Sequence, residues 1–361
     1  MSEKYIVTGG AGFIGVNFIY SLLKKDSATQ ILNIDKLTYA GNPNSLTFAS
    51  QHQGYRFLKA DIIDEKLIFN ALDEFKPTKI VHFAAESHVD RSIDGPDAFV
   101  RTNIMGTYNL LKLAFRYFDA LTGSQKDRFR FLHVSTDEVF GSLGKQGFFT
   151  EDSRYAPNSP YSASKAASDH LTRAWHKTYG FPLLTTNCSN NYGPYQFPEK
   201  LIPVILLNAL EGKPVPIYGD GSNIRDWLYV EDHCEAIQTV INKGKTGETY
   251  NIGGANEMSN LRLAETLLTL LDEIRPKKKG SYLDLISFVK DRPGHDMRYA
   301  ISIDKIKKEL GWQPKESFLS GIKKTIHWYL EHEGWVKGIL SGEYKIGRLG
   351  LGEALKNVLK R

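Results

Sequence analysis

The chain has 361 residues, of which 41% are hydrophobic, 12% aromatic and 24% charged. At roughly 150 residues per domain this is length for about two domains, with a core that needs no disulfide or metal staples, and the composition excludes collagen-like, low-complexity and wholly disordered chains. A net charge of +5, from 46 basic and 41 acidic residues, suits an anionic substrate without calling for nucleic acid.

In chain order, a β-prone run over Lys4 to Thr8 leads into Gly9, Gly12 and Gly15. A helical pattern follows to Lys25, with Val16, Ile19, Tyr20, Leu22 and Leu23 on its apolar face. Strands are expected at Ile31 to Ile34, Tyr55 to Leu58, Lys79 to Ala85 and Arg130 to Ser135. Helices are expected at Glu65 to Phe75, Ala98 to Phe118 and Ser162 to Tyr179. Strands buried on both faces and alternating with helices predict an α/β fold, a doubly wound parallel sheet of the Rossmann-like kind. Its dinucleotide-binding domain is placed at residues 1–192.

After Tyr192 the pattern loosens. Pro194 to Asp232 is rich in Pro, Gly and aromatics around one helix near Leu201 to Glu211, and Gly280 to Asp304 is loop-rich. This predicts a smaller C-terminal lobe over residues 193–344, mainly for substrate, with parts of 226–255 returning to the first domain and Glu248 to Ile252 extending the main sheet. Residues 345–361 form a basic tail, read as an amphipathic helix from Ile346 on. Lys277, Lys278 and Lys279 read as a solvated turn after Pro276. Cys188 and Cys234 read as small buried core residues, since two cysteines make neither a disulfide framework nor a cysteine-rich zinc site. The longest apolar stretch, near Leu201 to Leu210, is too short to span a bilayer. The chain enters a strand almost at once, so no signal peptide is expected, and a reducing, cytoplasmic setting is the default.

Three groups of residues can carry chemistry. Gly9, Gly12 and Gly15 stand between a strand and a helix, where glycine lets the backbone turn tightly and approach a pyrophosphate at the helix N-terminus. Asp35 ends the next strand about 20 residues on, where an acid accepts both ribose hydroxyls and repels a 2′-phosphate. That favours NAD over NADP, although Lys36 beside it pulls the other way. Tyr161 and Lys165 are four apart and share a helix face; a nearby ammonium lowers a phenol toward neutrality and makes it a usable base. Ser135 and Thr136 end the strand upstream, where a hydroxyl can hold a substrate oxygen. Asp137 and Glu138 follow. As neighbouring acids they either divide proton donation and removal between them or cap the next turn. His82, Glu86, His88 and Asp90 suggest a metal only superficially, since His82 lies inside an apolar strand, and no metal is expected.

The glycine loop, Asp35 and the Thr136, Tyr161, Lys165 set resemble the extended short-chain dehydrogenase/reductase family. More narrowly the chain resembles its dTDP-glucose 4,6-dehydratase branch. The resemblance is carried by Ala84 to Ser92, Ser135 to Gly141, Ser189 to Pro194, Arg225 to Asp232, Tyr250 to Gly254 and Asp291 to Asp296, in that order, and runs to about Tyr344. It implies an NAD-dependent lyase acting on a nucleotide sugar. NAD would be lined by Gly9, Gly12, Phe13, Ile14, Gly15, Asp35, Lys36, Leu37, Thr38, Asp61, Ile62, Phe83, Ala84, Ala85, Ser87, Thr102, Tyr161, Lys165 and Asn191. Ser87, Thr136 and Asn190 would meet the sugar. Lys200, Arg225, Arg292 and His295 would meet the diphosphate and ribose, Pro216, Ile217, Tyr218 and Asn260 the nucleoside, and Leu201 and Asp291 would also bind substrate. Arg225 and Arg292 read equally as surface ion-pair partners from the residues alone.

The catalytic set implied is Thr136, Asp137, Glu138, Tyr161 and Lys165. Tyr161 takes the 4-hydroxyl proton, Glu138 the C5 proton, and Asp137 protonates the departing 6-hydroxyl. The resemblance further implies a homodimer through the helices at Ala98 to Phe118 and Ser162 to Tyr179, with no membrane or nucleic-acid partner. Two other readings compete: a sugar-nucleotide 4-epimerase or a dehydratase for another nucleotide sugar such as UDP-glucose, and a non-catalytic NAD-binding protein, for which Tyr161 and Lys165 would be dispensable.

Overall fold

The computed structural model describes residues 3–291 and 295–340. Arg292 and the tail at 345–361 therefore lie outside the described residues. The main sheet contains β1 (Lys4–Thr8), β2 (Gln30–Asp35), β3 (Tyr55–Lys59), β4 (Lys79–His82), β5 (Arg130–Thr136) and β6 (Leu183–Cys188). Three more strands, β7 (Asn190–Tyr192), β8 (Val215–Tyr218) and β9 (Ile224–Tyr229), precede β10 (Thr249–Ile252), which joins the same sheet. β11 (Glu257–Ser259) and β12 (Ile286–Val289) complete the set. The sheet order is β10-β6-β5-β4-β1-β2-β3, all parallel. The order reverses between β1 and β4, the place where a doubly wound sheet leaves a crevice at its strand ends.

Each face of the sheet is covered. The helices Phe13–Lys25 and Val230–Lys243 pack Val16, Ile19, Ala236, Ile237 and Val240 against one side. Glu65–Phe75, Thr107–Asp119 and Pro160–Tyr179 cover the other, where Ile68, Leu72, Leu110 and Leu113 meet Phe131 and Phe181. A second core, distinct from these, gathers Tyr192, Leu206, Ile217, Trp227, Leu267 and Ile322 around the helices Leu201–Leu210, Asn260–Ile274 and Phe318–Glu331. At roughly 1.5–3 kcal/mol for each large apolar side chain removed from water, that cluster gives the C-terminal part a core of its own. Two small sheets frame it, β11-β9-β7 and the parallel pair β12-β8.

Several expectations shift. β4 stops at His82 instead of Ala85, because residues 83–88 leave the ladder and Ala84 comes against the Gly9 turn. β3 is an edge strand with Arg56, Phe57 and Lys59 exposed, so burial on both faces fails there. The helix expected at Ala98 to Phe118 is broken by a π-helical turn, Val100–Gly106, a wider winding that single-period reading of a sequence does not anticipate. It buries Asn103, whose side chain binds both the amide and the carbonyl of Glu86 and the hydroxyl of Ser164. That bridge fixes the loop after β4 to the helix Pro160–Tyr179. The Gly280 to Asp304 stretch holds a 3-10 turn, Tyr282–Leu285, and β12.

Lys277 to Lys279 lie in an exposed or half-exposed turn, and both cysteines are buried. Among the described residues no helix is long and apolar enough to cross a membrane.

The helix Pro160–Tyr179 has unusually complete termini. Ser159 and Ser162 form a reciprocal capping box, Pro160 occupies the first turn, and Gly180 closes the end at φ +66°. Replacing Ser159 by Ala is expected to cost about 1 kcal/mol of stability, read as a lower denaturant midpoint with an unchanged slope.

Candidate active site

The turn after β1 is built for close backbone approach. Gly9 has φ +73°, and a Cβ there would stand 2.6 Å from the Ala84 amide nitrogen; at Gly15 it would stand 2.4 Å from the Gly9 carbonyl oxygen. Gly12 is less crowded, with the nearest atom at 3.3 Å, and starts the helix without a side-chain cap. Asp35 ends β2 nearby. Its two oxygens accept the Ala11 amide at 2.9 Å and the Leu37 amide at 2.8 Å. Burial pushes this carboxyl upward, and those two amides act against the rise. Lys36, which pulled toward a 2′-phosphate, is paired with Asp61 at 2.8 Å. Burial opposes ionisation of Asp61, yet the Lys36 ammonium and the Ile63 amide bring its carboxyl below the usual range.

One cavity opens over this turn. Its wall contains Gly9, Gly12, Phe13, Ile14, Gly15, Asp35, Lys36, Thr38, Asp61 and Ile62. It continues through Phe83, Ala84, Ala85, Ser87, Thr102 and Asn191 to Thr136, Tyr161 and Lys165. Leu37 stays off the wall and contributes its amide to Asp35. The glycine cradle, the helix start and the acid at the end of β2 fit a dinucleotide.

At the far end of that cavity, Thr136 closes β5 and caps the 3-10 turn Asp137–Phe140, accepting the Glu138 amide at 3.3 Å. Tyr161 sits in the first turn of the helix Pro160–Tyr179, with Lys165 one turn on; both are buried. The expected lowering of Tyr161 does not appear. Burial first, then Glu138 and Cys188, push the phenol up, against a hydrogen bond with Thr136. Among the described residues the Lys165 ammonium donates to the Val134 carbonyl at 2.8 Å, so its hydrogen bond runs to the strand and not to the phenol.

The acid pair is split by its surroundings. Asp137 is 1% exposed and lies on neither cavity wall. Burial, with Glu138 and Asp226 behind it, holds its carboxyl well above the carboxylate range. Glu138 stands on the wall itself. One carboxyl is therefore biased toward its neutral form while its neighbour stands on the cavity wall, a division of the kind that paired acid–base work uses.

A second cavity adjoins the first. Ser87, Asn190, Lys200, Leu201, Pro216, Ile217, Tyr218, Arg225, Asn260 and His295 line it. Ser87, Glu138, Asn190, Glu199, Lys200, Leu201 and Trp227 belong to both walls, so Glu138 stands where the two meet. Arg225 is buried, not a surface ion-pair partner. It donates to the carbonyls of Ile224 and Asp296, and its guanidinium lies 4.3 Å over the Tyr299 ring. Asp291 is off the wall and pairs with His295 at 2.6 Å.

Sequence reading missed Trp227 and Tyr299 on these walls and the buried carboxylate of Glu199. Glu199 accepts Tyr39 at 3.2 Å and Arg91 at 3.3 Å, while Arg91 stacks 3.7 Å over the Tyr39 ring. Nothing in a lone Glu near Lys200 separates it from a surface acid. His82 has both ring nitrogens engaged, by Thr8 at 2.7 Å and Thr107 at 3.0 Å, and the described residues contain no metal-holding cluster.

The family model described as GDP-mannose 4,6 dehydratase matches residues 6–325. A dTDP-glucose 4,6-dehydratase of Xanthomonas campestris pv. campestris (strain B100) is 54% identical over 347 residues, 96% of this chain and 98% of that protein. The crystal structure of a Bacillus anthracis dTDP-glucose 4,6-dehydratase in complex with NAD aligns with a TM-score of 0.83 at 46% identity, covering 94% of this chain and 100% of that one. A Streptomyces venezuelae dTDP-glucose 4,6-dehydratase, solved with NAD and TDP bound, aligns at 0.84 and 44% identity, covering 93% and 99%. The chain belongs to this nucleotide-sugar 4,6-dehydratase family.

Gly9→Ala combines a positive φ with a backbone collision. Strain of this kind costs about 1–3 kcal/mol, so retained dinucleotide, measured by absorbance of the purified protein, is expected to fall by about tenfold or more.

Proposed function

We propose that the chain is a dTDP-glucose 4,6-dehydratase with NAD as its resident cofactor, converting the hexose to its 4-keto-6-deoxy form with loss of one water. The observation that carries this reading is the acid pair. Asp137 is buried and its carboxyl is pushed well up by that burial, and Glu138 stands at the junction of a dinucleotide-fitting cavity and a second cavity whose wall includes Lys200, Arg225 and His295. A 4-epimerase has no use for such a pair. The names of the relatives support the same choice.

When bound, NAD supplies a hydride acceptor at C4 of the sugar and a hydride donor at C6. The residues of the chain do the rest. Tyr161 takes the 4-hydroxyl proton, and Thr136 holds the same oxygen. Lys165 offers positive charge one turn away, against the burial that raises the phenol. With a ketone at C4, the C5 proton becomes acidic and Glu138 removes it. Asp137, which stands behind the wall beside Glu138, turns toward the cavity to give its proton to the 6-hydroxyl, which leaves as water. Glu138 returns its proton to C5, and the proton gained by Tyr161 balances the one lost by Asp137, so the cycle closes once it passes from the one to the other.

Residues 1–192, with parts of 226–255, hold the dinucleotide, and 193–344 hold the nucleoside diphosphate. Lys200, Arg225, Arg292 and His295 meet its charge. Pro216, Ile217, Tyr218 and Asn260 frame the base, and Ser87 and Asn190 the sugar. Val100, Met105, Tyr108 and Tyr179 are 37–52% exposed on the helical segments 97–119 and 160–179. An apolar face of this kind fits a twofold homodimer. The setting is cytoplasmic.

The decisive measurement is a mass spectrum of dTDP-glucose incubated with the purified protein and no added NAD. Loss of one water without accumulating NADH is expected; unchanged mass, or an epimeric hexose on hydrolysis, overturns the reading. Glu138→Gln is expected to slow dehydration by about 10²–10⁴-fold while substrate still reduces the bound cofactor. Normal turnover by that variant removes Glu138 from the role of base. Met105→Glu is expected to shift the particle mass in light scattering from dimer to monomer.

A further inference from the structure

Lys165 is a buried cation whose hydrogen bonding does not balance its charge. It is 5% exposed, and among the described residues its ammonium has one hydrogen-bond partner, the Val134 carbonyl. A buried charge without an opposite charge is strongly disfavoured. The opposite charge lies one turn further along the same helix, at Asp169, which is 5% exposed.

Asp169 is also a hub. One oxygen pairs with His133 Nε2 at 3.1 Å. The other accepts the Ser135 hydroxyl at 2.8 Å, the Tyr155 hydroxyl at 3.0 Å and the Asn187 amide at 3.3 Å. Asn187 in turn donates to the Thr136 carbonyl at 3.1 Å. A single carboxylate thus ties the helix that bears Tyr161 and Lys165 to the ends of β5 and β6, where Thr136 stands.

We propose that Asp169 is a positioning residue for the reaction: it supplies the buried counter-charge to Lys165 and anchors the Ser135–Thr136 end of β5 beside Tyr161. The proposal rests on the dehydratase reading for its catalytic consequence. The groups that face Lys165 come from three strands and its own helix. His82 on β4 is held neutral by burial, and His133 on β5 is brought to about 4. Cys188 on β6 is pushed up to about 12 by burial and stays a thiol. Tyr161 is pushed up by burial. Burial lowers Lys165 itself, and Asp169 is the first group acting to raise it again. Removing the carboxylate therefore makes Lys165 lose its proton at lower pH.

The test uses the NAD-loaded protein. In Asp169→Asn the alkaline limb of the pH profile of turnover is expected to move down by about one pH unit or more. Asp169→Glu keeps the charge and is expected to restore the limb even if it melts lower. Independently of turnover, the thermal midpoints of Lys165→Met, Asp169→Asn and the double variant form a cycle. Their losses are expected to be less than additive, because each single change strands a buried charge that the double change removes. An unmoved alkaline limb alongside a lowered melting point makes Asp169 structural only and overturns the proposal, as do additive losses. If Asp169→Asn alone does not fold, a folded double variant supports the pair and an unfolded one overturns it. Parent protein that leaves dTDP-glucose unchanged defeats the dehydratase reading instead, while the melting cycle still decides the pairing.

Discussion

The backbone of Gly9 lies against the backbone of Phe83 and Ala84 with no room between them for a methyl group. Most of the site follows from that contact. It brings the turn after β1 and the loop after β4 together at the point where the order of the parallel sheet reverses. Parallel strands all end on the same edge, so the loops after β1, β2, β4 and β5 open toward one crevice. Asn103, presented by a π-helical turn, holds the loop after β4 from the other side and joins it to the helix that carries Tyr161. The positions of the cofactor wall and of the chemical groups are thus set by one close backbone contact at Gly9 and by the side-chain hydrogen bonds of Asn103.

Burial then assigns the protons. Asp137 and Glu138 are adjacent in sequence and identical in chemical type. One is enclosed and pushed up toward its neutral form, and the other lies on the wall shared by two cavities. Their separation needs no special residue, only the 3-10 turn after β5, which buries the first side chain and leaves the second on the cavity wall. The same low-polarity surroundings raise Tyr161 and would expel a lone ammonium. This places Lys165, Asp169 and the hydroxyls around them in one electrostatic unit. The Glu199, Arg91 and Tyr39 cluster plays a comparable part at the other end, joining the loop after β2 to the segment that leads into the C-terminal core.

What could be read from the linear chain was whatever depends on local spacing. Gly9, Gly12 and Gly15 announce a turn, the apolar runs at β1, β2, β4 and β5 announce buried parallel strands, and the four-residue spacing of Tyr161 and Lys165 puts them on one helix face. The edge character of β3 was not legible, because whether a strand has a neighbour on both sides is a property of the sheet. The π-turn at Val100–Gly106 departs from the helical period that such reading assumes. Asp169, Asn187 and Tyr155 are common polar residues with no spacing to mark them, and they meet only because β5, β6 and the helix pack together.

The sequence by itself determined the class of fold, the kind of cofactor its first turn accommodates and the residue types available for chemistry, since these rest on backbone conformation and side-chain pattern within a few residues. Tertiary structure alone decided which acid is buried, which stands on the cavity wall, and where Lys165 sends its hydrogen bond. Those outcomes depend on dielectric surroundings and on partners tens to hundreds of residues away, as with Asp169 and His133 or Arg225 and Asp296, and no local pattern encodes the distance between them.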